Sequence, residues 1–182
     1  MQTSDRLRPL TGTGQKWPRR LLPLETLNYE HLRQKCLCNL LGRIVDDLYA
    51  SDTIKSAAWA LDYLENVLPL HVSDETEDLV PRLLEHDAAD EAVGKACRAL
   101  VHEHESDGLL AAKIKVGLEL LSRARPLPRP LDFIVDVLTF EENLRRHVAW
   151  ENAEFLPLAR HRLASEDLSS LGSAMARRHG LF

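Results

Sequence analysis

From Leu24 onward, apolar residues return at intervals of three and four. Leu37, Leu40, Leu41, Ile44, Val45 and Leu48 draw one stripe that predicts a first helix from Leu24 to about Ala50. Ser51-Asp52-Thr53 interrupts the stripe and supplies a new N-cap, so a second helix is expected from about Ile54 to Leu84. Pro69 and Pro81 fall inside it and predict bends, because a proline removes a backbone hydrogen bond. Glu85-His86-Asp87-Ala88 reads as the next turn, with Asp87 or Asp90 capping a third helix that reaches about Ala124. Pro126, Pro128 and Pro130 stop that helix and start a fourth, from Leu131 to about Leu163. Ser165-Glu166-Asp167 caps a short terminal helix that closes on Arg177-Arg178 ahead of Gly180. Residues 1–24 carry Pro9, Gly12, Gly14, Pro18 and Pro23 without a helical period and are expected to form an extended arm.

No strand-like alternation of useful length occurs, and no Gly-rich linker divides the chain. The pattern therefore predicts an all-α protein: an antiparallel up-down four-helix bundle over residues 25–163, an N-terminal arm over 1–24, and a C-terminal helix and tail over 164–182 that pack on the bundle. A chain of 182 residues is long enough for one real core, and 45% hydrophobic with 28% charged residues is ordinary for a soluble protein. The formal charge of -5 argues against a general nucleic-acid binder, and no apolar run of about 18 residues predicts a membrane span. Met1 to Pro9 show no secretory pattern, so a cytoplasmic location is the expectation. Cys36, Cys38 and Cys97 are odd in number; Cys36 and Cys38 would lie about 200° apart on a helix, so all three are read as small buried hydrophobes. Gly12-Thr13-Gly14-Gln15-Lys16 lacks the preceding strand and the Gly-Lys-Ser/Thr ending of a phosphate loop.

One phrase occurs twice. His71-Val72-Ser73-Asp74-Glu75 runs on to Leu79-Val80-Pro81, and His147-Val148-Ala149-Trp150-Glu151 runs on to Phe155-Leu156-Pro157. Residues four apart on a helix are separated by about 40° and about 6 Å, so each phrase aims one imidazole and one carboxylate at a single point. A shorter echo, Glu30-His31 and Glu103-His104, precedes each copy.

Spacing shows that these groups can meet. In a helical hairpin, two residues equally far from the turn lie at the same height. The midpoint of His31 and His71 is Ser51, that of His71 and His104 falls at Asp87-Ala88, and that of His104 and His147 at Arg125-Pro126. All three positions are predicted turns, so one histidine from every helix arrives in one layer. Six unpaired polar groups inside a bundle would cost several kcal/mol, a penalty that coordination to metal removes. Four imidazoles and two carboxylates exceed the four ligands of a tetrahedral zinc site and suit two first-row metals, with each Glu placed to bridge. Imidazole suits iron, copper, nickel and zinc alike. Ferritin-like di-iron bundles are carboxylate-rich and use Glu-x-x-His, which this chain does not.

The ordered set His, His-x-x-x-Glu, His, His-x-x-x-Glu resembles the hemerythrin-like HHE cation-binding domains, of the six-ligand bacterial type, over nearly all of residues 25–163. The resemblance implies a non-haem centre of two iron ions, oxo- or hydroxo-bridged, with His31, His71, His104 and His147 as terminal ligands and Glu75 and Glu151 as bridges. Two departures separate the chain from the oxygen carriers of that family. They carry a His-x-x-x-His pair in the third helix, whereas the positions four from His104 are Leu100 and Gly108 here. Their last carboxylate is an Asp five residues after the fourth-helix histidine, where this chain has Glu151 at four. One iron is then expected to keep an additional open position.

Around this set, His102 is expected to face solvent or a neighbouring helix, because two residues turn it about 200° from His104. His86, His161 and His179 are expected to be solvated, and Tyr63 to line the pocket. Leu68, Leu100, Leu109 and Leu144 are expected to make that pocket dry, and Asp107 is a candidate for an outer contact to the centre. No further His, Glu or Tyr is placed as a general acid, which favours binding over turnover. The first functional expectation is a carrier, sensor or store for dioxygen or a related small ligand, nitric oxide or peroxide. The second is an enzyme of peroxide or nitric oxide detoxification or iron-centre repair; the repair proteins carry an N-terminal cysteine segment that residues 1–24 lack. The third is a helical module whose metal is structural.

Overall fold

The computed structural model describes residues 22–86 and 90–181, and these are helical apart from short connections. The expected arm therefore lies, up to residue 21, outside the described residues, as does Asp87. Helix α1 is Pro23–Asp46, with proline in its first turn, where no N–H is needed. Helix α2 covers residues 53–86, α3 is Glu91–Ser122, α4 covers residues 130–162, and α5 is Ser165–Arg178.

Several ends differ from the sequence expectation for local reasons. Helix α1 stops at Asp46 instead of Ala50. Asp47 turns into the extended region, its side chain accepts from the Tyr49 N–H at 3.1 Å, and its carbonyl accepts from the Thr53 hydroxyl at 2.9 Å. Such local bonds compete with another helical turn. At α3 the cap is Asp90, whose carboxylate accepts from the N–H groups of Ala92 and Val93. Helix α5 is capped one residue earlier than expected, with Ala164 at N-cap and its N–H bonded to Asp167 Oδ2 at 2.9 Å.

Pro69 and Pro81 do not break α2. The helix instead widens into a π turn at Tyr63–Val67 and again at Asp74–Leu79, and α4 does the same at Glu151–Phe155 ahead of Pro157. Each wide turn ends two residues before a proline. A proline ring clashes with the carbonyl four residues back and offers it no N–H, and a turn enlarged by one residue moves that carbonyl aside. Two of these three wide turns carry Glu75 and Glu151.

Two apolar clusters fill the interior. One gathers Leu37, Leu41 and Ile44 of α1, Ala60, Leu64 and Leu68 of α2, Ile114 and Leu118 of α3, and Phe140, Leu144 and Val148 of α4. The other gathers Leu24 and Leu27 of α1, Leu79 and Leu83 of α2, Val93 and Leu100 of α3, and Phe155 and Leu156 of α4, closed by Leu171 and Met175 of α5. On α1, α2 and α3 the boundary between clusters encloses the predicted histidine, and on α4 it falls just after His147, between Val148 and Phe155. A polar layer thus cuts the core in two.

Between helices, Glu25 meets Arg160 at 2.7 Å and Asn39 meets Arg145 at 2.7 Å, so α1 and α4 run in opposite directions. Helices α3 and α4 approach closely at Gly117, where a Cβ would stand 2.2 Å from the Phe133 ring. Gly117→Ala is expected to destabilise the fold by about 1–3 kcal/mol through overpacking, despite the gain in helix propensity. Urea unfolding checks this, and an unchanged midpoint would mean that the two helices are free to separate.

Candidate metal centre

All six predicted residues converge in the polar layer, and none is more than 9% exposed. The Glu75 carboxylate lies 3.2 Å from His71 Nε2, 3.2 Å from His104 Nε2 and 3.6 Å from His31 Nε2. The Glu151 carboxylate lies 3.0 Å from His31 Nε2, 3.1 Å from His147 Nε2 and 3.8 Å from His104 Nε2. Every imidazole therefore turns Nε2 toward the two acids.

Burial lowers the basicity of His31, but contacts with the Glu151 and Glu75 carboxylates outweigh it and raise its pKa to about 10. His147 is likewise opposed by burial and raised to about 10, by Asp107 and Glu151. Burial would raise both acids, yet His71, His104 and His31 hold Glu75 well below the usual carboxylate range. Glu151, opposed also by the charge of Glu75, is lowered by His147 and His31. Protons on imidazole supply the positive charge that the two buried carboxylates require.

Hydrogen bonding does not satisfy the layer. His31 Nε2, His104 Nε2, His147 Nε2, both Glu75 oxygens and Glu151 Oε1 are buried without a hydrogen-bond partner. Unpaired buried polar atoms are costly, and a metal cation is a partner that several acceptor-only carboxylate oxygens and inward imidazole nitrogens can share at once. Donor atoms of His31, His71, Glu75 and Glu151 lie within 4.8 Å of one another, as do those of His104, His147 and Glu151. Glu151 belongs to both groups. The residues fit metal cations.

Outside the layer, three of the four histidines are held from behind. Asp107 Oδ2 lies 3.0 Å from His147 Nδ1, Asn152 Oδ1 lies 2.8 Å from His31 Nδ1, and the Thr76 hydroxyl lies 2.9 Å from His104 Nδ1. An outer partner on Nδ1 fixes the ring and presents Nε2 inward. Asp107 was a sequence candidate; Asn152 and Thr76 were not. The available signal was that a polar residue directly follows each Glu of the repeated phrase. Successive helical residues are about 100° apart, so the neighbour of an inward carboxylate faces the adjacent helix.

Above the histidines lies a cavity of about 300 Å³, whose wall includes His71, His104 and His147 together with Gln34, Leu64, Leu68, Asp107, Gly108, Ala111, Lys115 and Leu144. Only two of the four expected leucines belong to it. Leu109 is 72% exposed, because five residues rotate it about 140° from His104. Leu100 lies in the opposite apolar cluster, since helical side chains lean toward the N-terminus. Tyr63 does not line the cavity either: it is buried against Trp59, with the Arg33 guanidinium 5.4 Å above its ring.

Among the remaining histidines, His102 and His161 are exposed, and His86 is exposed while pairing with Asp167 at 2.9 Å. His179, expected in solvent, is instead buried, with Nε2 2.8 Å from Asp74 Oδ2. Arg178 pairs with the same Asp74 at 2.5 Å and also with Asp78. The end of α5 thereby clamps the wide turn that carries Glu75.

A chain whose described residues are helical apart from short connections, and whose core is interrupted by inward histidines and carboxylates, is a metal-binding helical domain. The family model of the hemerythrin HHE cation binding domain matches residues 22–159, and the chain belongs to that family. Comparison with curated proteins and with solved structures finds no match. No helix among the described residues is long and apolar enough to cross a membrane.

Proposed function

We propose that His31, His71, Glu75, His104, His147 and Glu151 hold two iron ions, and that the protein binds dioxygen or a related small ligand, nitric oxide or peroxide, beside them as a carrier, sensor or store. The observation that carries this reading is Glu151, buried within reach of both donor groups. One carboxylate with two oxygens between two sets of imidazoles is the arrangement that a pair of cations needs. Glu75, within 3.6 Å of His31, His71 and His104, would serve as the second shared carboxylate.

Iron in such a site supplies a reversible electron change that no side chain here provides. The chain's own part is orientation and exclusion of water. Asp107, Asn152 and Thr76 hold three imidazoles, while Leu68 and Leu144 keep the approach to the histidines apolar. The alternation of the two apolar clusters along successive helices supports an up-down-up-down bundle as the scaffold. In the same proposal the protein works in the cytoplasm.

Anaerobic iron loading followed by absorption spectra in air, nitric oxide and peroxide tests the function. A stable new band on exposure to one of these ligands is the expected result. Continuous consumption of peroxide or nitric oxide would make the protein an enzyme, and melting of the bundle on iron removal without any ligand response would leave a structural metal.

A further inference from the structure

The cavity is much larger than a diatomic ligand requires. A water molecule takes about 30 Å³ of liquid volume, and this space is about 300 Å³. Its wall climbs the helices in order. His71, His104 and His147 form the floor. Leu68 and Leu144 stand about one turn above their own histidines, Leu64 and Ala111 about two turns, and Lys115 about 16 Å along α3 from His104. The middle of the shaft is therefore apolar and its far end is cationic.

Two features mark the shaft as built for an occupant. Lys115 is half-buried in the wall and forms no ion pair with any described residue. Its side chain leans back along α3 toward the cavity, as helical side chains do. Asp107, the one carboxylate in the wall, lies about two turns below it and is already bonded to His147. Gln34, one turn above His31, is 1% exposed with an amide N–H that has no partner, and at the floor His71 is 3% exposed with an unpartnered Nδ1. Gly108 keeps one side open, since a Cβ there would meet nothing within 4 Å.

We propose that this shaft binds a small amphipathic monocarboxylate. Its anionic end pairs with Lys115, its hydrocarbon body lies against Leu64, Leu68, Ala111 and Leu144, and its free end rests above the histidine floor. The inference rests on the metal reading for what lies beneath that floor, and on the cavity alone for the shaft. Gln34 and His71 are left to hold the oxygen-containing small ligand, so the site takes two different molecules.

Calorimetric titration of iron-loaded, full-length protein with octanoate, octanol and acetate tests this, with iron content measured on the same samples. Octanoate is expected to bind and acetate to compete poorly. Lys115→Met should weaken octanoate about tenfold while leaving octanol nearly unchanged, the loss of one half-buried ion pair. Gly108→Leu should weaken both about tenfold or more at unchanged iron content, and Ala111→Leu offers the same blockade from a buried wall position. Loaded protein that ignores octanoate, acetate that matches it, or binding indifferent to Lys115 and Gly108 would each overturn the shaft and leave the metal reading standing. Octanoate binding that depends on both residues in a protein that takes up no iron would support the shaft and defeat the metal reading.

Discussion

Glu151→Gln is expected to lose most of the bound iron while the protein stays folded. The side chain is 1% exposed and stands 3.0 Å from His31 Nε2 and 3.1 Å from His147 Nε2. Glutamine keeps the shape, but it turns one acceptor oxygen into a donor and removes a buried negative charge from a site of positive ones. Breaking a buried charge pair costs about 3–5 kcal/mol, so metal affinity should fall by about a hundredfold or more. The same change withdraws the anion that holds His31 and His147 protonated in the metal-free chain, so their basicity should drop together. Iron analysis and circular dichroism on one preparation separate metal loss from unfolding. A folded variant with full iron and the parent spectrum would show that Glu151 is not shared between two cations.

Asp107→Ala should weaken iron binding by about ten- to a hundredfold, although this residue touches no metal. Asp107 is 5% exposed and fixes His147 through Nδ1 at 3.0 Å. Without it the imidazole can rotate and choose its tautomer, and Nε2 no longer faces Glu151 by default. Asp107→Asn, which keeps an acceptor oxygen, should recover much of the loss. His102→Ala should leave iron content at the parent level, because that ring is exposed on another face of α3. Parent-like affinity in Asp107→Ala would mean that packing alone orients His147.

The layer of six side chains was legible because it depends on counting. Helix period, turn positions and equal distances from each turn are properties of local sequence, and they placed His31, His71, His104 and His147 at one height before any contact was known. The wide turns were not legible in the same way. Pro69, Pro81 and Pro157 signal a disturbed hydrogen-bond ladder, but sequence alone does not say whether a helix answers by bending or by enlarging a turn. Partners contributed by another helix were also hidden. Thr76 and Asn152 look like surface residues until α3 and α1 are set beside them. His179 sits in a polar stretch near Arg177 and Arg178, and only the return of α5 onto Asp74 buries it. Leu109 and Leu100 show that closeness along the chain does not by itself place a side chain: the helical angle turns Leu109 outward, and the lean toward the N-terminus carries Leu100 into the other apolar cluster.

The most direct test is the iron content of protein loaded anaerobically with ferrous iron and then desalted. About two ions per chain, held by the full set of six side chains, is the predicted result. A chain that retains one ion, or none, would contradict the paired centre on which the account stands.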